Sequence, residues 1–85
     1  MLLSMNAMFT EKQKQLIADL AIDLAPEMAQ IEAKPETTQH HYADYGALLS
    51  RLAKGNRTVA MVLAHAFIKA GAHPVGVANG LKIFV

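Results

Sequence analysis

The feature that most constrains this chain is the run 58–68, eleven residues that are apolar apart from Thr58 and His65. Asn56 stands just before it and Gly71 just after, a capping residue and a helix-ending glycine, so the spacing predicts a helix over 57–70. On a helical wheel Val59, Val62, Leu63, Ala66, Phe67 and Ala70 share one stripe, while Met61 and Ile68 fall near the opposite face beside His65. A helix that is apolar on two faces is sandwiched between layers or packs on another subunit. At eleven residues the run is well short of the ~18 apolar residues that suggest a membrane span.

The remaining chain must therefore supply the layers, and it has few residues with which to do so. Eighty-five residues make one domain with a thin stability margin. With no cysteine, disulfides, thiolate zinc sites and thiol nucleophiles are excluded together, and a cytoplasmic setting fits. Stability must come from packing, although 53% of the residues are hydrophobic and the mean hydropathy is +0.22, high for so small a protein. The opening Met-rich residues lack the basic start and apolar length of a signal peptide. Residues 1–9 are read as a flexible or partner-packing arm, and 10–85 as a single helical domain.

The first helix begins at Thr10, with Gln13 three residues on, a capping-box pattern. Phe9, Leu16, Ile17, Leu20 and Leu24 form its apolar stripe, and Met28 and Ile31 keep the same phase beyond Pro26. Either one kinked helix runs to about residue 33, or a second one starts with Pro26 at its first position. After a break at 34–38, where Thr37 or Thr38 could cap, a helix is expected over 39–53. Tyr42, Tyr45, Leu48, Leu49 and Leu52 line it, with Gly55 closing it.

The C-terminus reads two ways. Asn79-Gly80 between two β-prone stretches is a strong hairpin signal, because a type I′ turn needs positive φ at both central residues. Against it, 70–74 followed by Val77 and Gly80-Leu81 looks like a helix–turn–helix junction with Pro74 at the first helical position. That short run is similar to a segment of the group I chaperonins where two helices meet. The likeness covers about sixteen residues, carries none of the nucleotide-binding motifs and implies no shared function. The hairpin over 74–85 is the expectation adopted here, giving a mainly α (α+β) fold of three to four helices closed by a C-terminal β-hairpin.

All seven acids lie in residues 1–44, with three lysines, for a net charge of −4; residues 45–85 carry Arg51, Lys54, Arg57, Lys69 and Lys82 and no acid, for +5. Most of the acids sit on the wet faces of amphipathic helices, and the local basic cluster is Arg51, Lys54 and Arg57 at one turn. His40 and Asp44 have the i, i+4 spacing of two metal ligands, but a site needs three or four, and neither a metal nor a cofactor is expected. The serines sit in no nucleophile motif, no phosphate loop is present, and no catalytic residue is assigned.

The function expected is a small protein–protein interaction module, a homodimer acting as an accessory or inhibitor protein, using Arg51, Lys54, Arg57, Met61, His65 and Ile68. In size and lack of motifs it resembles the small inhibitors of phages and mobile elements, such as anti-CRISPR proteins. The alternative is a nucleic-acid-binding regulator using Arg51, Lys54 and Arg57, since a helix, a turn, a helix and a hairpin follow one another as in a winged helix. No membrane role is expected.

Overall fold

The computed structural model describes residues 9–35 and 39–84. They form four helices: α1 (Glu11–Ala33), α2 (Tyr42–Ala53), α3 (Arg57–Lys69) and α4 (Pro74–Ile83), with a 3-10 turn, Gln39–His41, leading into α2. Residues 1–8 of the N-terminal arm and the caps expected at Thr37 or Thr38 lie outside the described residues.

Helix α1 starts with both bonds of the capping box. Gln13 N–H donates to Thr10 Oγ1 at 3.1 Å, and Thr10 N–H donates to Gln13 Oε1 at 2.9 Å. It then runs unbroken through Pro26. The proline removes the donor that would have met the Ile22 carbonyl, but both residues lie on the solvent side, where water can satisfy that oxygen. Ile17, Ala21, Met28 and Ile31 face inward.

Helix α3 is the centre of the molecule. Ala60 and the unbroken run from Val62 to Phe67 are buried, and α3 touches each of the other three helices. On one side Val62 and Ala66 pack on Ile17 of α1, with Phe9, Leu20 and Leu24 around them. On the other, Ala60, Ala64 and Phe67 join Tyr45 and Leu49 of α2 and Val77 of α4 in the larger part of the core. Of the two ways to cover a helix that is apolar on both faces, the described residues use the sandwich. Met61 and Ile68 are half-buried within it.

The C-terminal hairpin is not formed. Among the described residues there is no strand, and 74–83 is helix α4, so the fold is mainly α. The helix-start signals overrode the turn signal: Pro74 occupies the first turn and His73 Nδ1 accepts from Val75 N–H at 3.1 Å. Gly80 keeps an ordinary negative φ and serves a different purpose. A Cβ there would stand 2.8 Å from Gly46 N and 2.9 Å from Tyr42 O, because α2 and α4 cross backbone to backbone at Gly46 and Gly80. The pair Asn-Gly is thus a close-packing glycine beside a surface asparagine.

A second close approach fixes the turn before α2. Gln39, His40 and His41 all have positive φ (22°, 56° and 63°), a conformation unfavourable for residues with a Cβ. The turn is held from outside: the His40 ring stacks on His73 with centroids 3.7 Å apart, and Asn79 Nδ2 donates to Gln39 Oε1 at 3.3 Å. A Cβ on Gly76 would lie 1.9 Å from the His40 carbonyl oxygen, so only glycine lets α4 seat against this turn.

The crossing predicts opposite outcomes at adjacent positions. Gly80→Ala should cost about 1–3 kcal/mol through overpacking against backbone, whereas Asn79→Ala, at a partly exposed helical site, should stay within about 1 kcal/mol. Urea denaturation of both variants checks this; a large loss for Asn79→Ala would favour a tight turn over the helix.

Candidate functional site

The basic turn forms where α2 ends and α3 begins. Lys54 and Gly55 take left-handed φ values of 50° and 82° to close α2, and Asn56 caps α3 by accepting from Val59 N–H at 3.0 Å. Arg51, Lys54 and Arg57 are all exposed there. They do not act as three equivalent charges: Arg51 Nη2 lies 3.6 Å from Glu27 Oε2 of α1, while Lys54 and Arg57 have no ion-pair partner among the described residues.

Beside this turn the helices leave an apolar groove of about 580 Å³. One wall is α1, through Leu16, Leu20 and Leu24; the other is the end of α2 and the start of α3, through Leu52, Val59 and Val62. Leu16, Leu52 and Val59 remain 48%, 41% and 39% exposed, so three large side chains on facing walls stay half in water. Asp23 on the α1 lip is the one ionisable residue among those lining it. A surface of this make-up binds by burial of apolar area, with charge at its edges.

The other residues singled out from the sequence are placed elsewhere. His65 is only 5% exposed, lies edge-on to the Phe9 ring at a centroid distance of 4.7 Å, and leaves Nε2 with no hydrogen-bond partner. Burial pushes its pKa below the ordinary value. Met61 and Ile68 are half-buried, and Arg51, Lys54 and Arg57 are exposed. His40 and Asp44 are not brought together on one helix: His40 belongs to the left-handed turn and Asp44 Oδ1 lies 3.5 Å from Lys34 Nζ. Among the described residues no three His, Asp or Glu side chains are grouped to hold a metal ion, and no helix is long and apolar enough to cross a membrane.

A polar cluster ties α1 to the start of α4. Glu32 accepts from the Tyr45 hydroxyl and, at 3.1 Å, from His73 N–H. Burial raises the Glu32 pKa, but these two donors and the nearby imidazoles of His41 and His73 outweigh it and hold the carboxyl below its ordinary value. Tyr45 is pushed the other way, by burial and by the Glu32 carboxylate that accepts its hydrogen bond.

Sequence reasoning assigned the groove-lining leucines and valines to the core stripes, where they partly belong. The signal available was the breadth of α1's stripe: at about 100° per residue Leu16 stands about 140° from Ala21, too wide a span for one neighbouring helix to cover. Comparison with protein-family models, curated protein sequences and solved structures finds no match to this chain.

Two groups should shape the acid limb of stability. His65 has a depressed folded pKa, so its contribution is intact above 6.5, its ordinary value, and is lost as the pH falls below it, where the unfolded chain takes a proton that the folded one resists. Glu32, also depressed, contributes above 4.5 and loses that contribution as the pH falls through its folded value. Denaturation midpoints from pH 8 to 3 should show His65→Leu flattening the upper part of the decline and Glu32→Gln the lower part. Unchanged slopes in both variants would contradict these placements.

Proposed function

We propose that this chain is a small protein–protein interaction module, an accessory or inhibitor protein that acts by covering a surface of its partner, and that its docking surface is the groove between α1 and the α2–α3 turn. The observation that carries this reading is the half-exposure of Leu16, Leu52 and Val59 on facing walls of one groove. Contiguous apolar surface of this kind costs free energy in water and is retained where a partner covers it. An amphipathic helix fits such a groove, laying apolar residues at i, i+3 or i+4, and i+7 between the walls.

The nucleic-acid reading has less support. Arg51 is engaged with Glu27, which leaves Lys54 and Arg57 as the unpaired cations of the turn. The helix that follows is the central buried element, not one that could enter a groove of duplex DNA.

A photo-crosslinking amino acid placed in cells at Leu16 or Leu52 should give discrete protein adducts, while the same group at exposed Gln30 or Ala43, outside the groove, should not. Adducts no stronger at the groove positions than at the control positions would remove the reading.

A further inference from the structure

His73 holds the start of α4 in three ways. Its Nδ1 accepts from Val75 N–H at 3.1 Å and caps the helix, its ring lies on the His40 ring with the planes 3° from parallel, and its backbone N–H donates to Glu32 Oε2. The cap differs in kind from those at Thr10 and Asn56, which accept through an oxygen that keeps its lone pairs across the ordinary pH range. An imidazole accepts only at an unprotonated ring nitrogen, and an imidazolium is a donor at both. Its charge changes between about pH 8 and pH 5, so such a cap exists in one protonation state and not in the other. The stack answers to the same proton, because two charged rings at a centroid distance of 3.7 Å repel.

The groups that face His73 give a charged ring somewhere to go. On α1 the Glu32 carboxylate takes both of its described hydrogen bonds on Oε2, which leaves Oε1 to accept another. From α2, Tyr45 gives its hydroxyl to that carboxylate, and Asp44 is engaged by Lys34. The turn before α2 contributes His40, in the stack, and His41, which is buried. Lys69 ends α3 exposed, and Pro74 to Val77 of α4 carry no charge. His73 itself is half-buried, within reach of solvent protons.

We propose that His73 is a proton-operated latch on α4. In the neutral ring the proton sits on Nε2, Nδ1 holds the Val75 amide, and the ring steadies the left-handed His40 on whose carbonyl Gly76 is seated. When solvent delivers a second proton, to Nδ1, two donors meet at the Val75 amide. The ring leaves that amide and the stack and turns to the Glu32 carboxylate. The first turn of α4 and the 39–41 turn are then loosened together, because the same ring braced both.

Nuclear magnetic resonance of the full chain between pH 8 and pH 5 tests this. At pH 8 the nitrogen shifts of the His73 ring should show the proton on Nε2. The Val75 amide should titrate with the same midpoint as that ring. Its hydrogen-exchange protection, corrected for the intrinsic effect of pH, should be about fivefold or more lower once the ring is charged. His73→Asn, an oxygen cap that does not titrate, should keep the protection at both ends of the range and lose the step. Glu32→Gln should move the step to lower pH, since the charged ring has lost its acceptor; His73→Asn carries the test if Glu32→Gln does not fold. A His73 proton on Nδ1 at pH 8, a Val75 amide unchanged while the ring takes its proton, a step that persists in His73→Asn, or one that stays in place in Glu32→Gln would each overturn the latch.

Discussion

The structure depends on burying α3 from both sides. A thirteen-residue helix with apolar residues all round cannot leave either face in water, so α1 must cover one side and α2 with α4 the other. The covering is unequal. Phe9 meets His65 near the end of α3, and Leu20 and Leu24 lie beside Val59 and Val62 near its start, so α1 runs antiparallel to α3. At that start the chain has just left α2 through the left-handed turn at Lys54 and Gly55. The Arg51–Glu27 ion pair joins α1 to the end of α2, and the groove is what the helices leave uncovered beside it.

The second layer joins bulky buried side chains, Tyr45, Leu49, Phe67 and Val77, to close backbone contact. Gly46 and Gly80 let α2 and α4 cross, and Gly76 lets α4 seat on the carbonyl of a left-handed His40. These contacts are coupled to the polar cluster around Glu32, whose carboxylate binds both the Tyr45 hydroxyl of α2 and the amide just before α4. A strained three-residue turn persists because α4 and the stacked His73 ring over-determine it.

Much of this was legible in the sequence, and the failures share a cause. The capping box at Thr10, the Asn56 cap and the closing Gly55 are local signals, and all three appear as read. The sandwich around α3 was one of two outcomes its periodicity allowed. The hairpin failed because Asn79-Gly80 has a local meaning and a tertiary one, and the identity of the residue does not say which applies. Glycine is needed both where φ is positive and where two backbones approach, and only the partner at Gly46 decides. The burial of His65 was hidden likewise: it lies opposite the main stripe on the wheel, and Phe9 covers it. The groove was hidden because its residues are good core residues; half-burial is a property of neighbours, not of leucine.

The central claim is that α3 is buried from both sides. Hydrogen exchange followed amide by amide measures this directly. The amides of the buried run Val62 to Phe67 should be the slowest to exchange in the molecule. Exchange there as fast as at the first turn of α1 would contradict it.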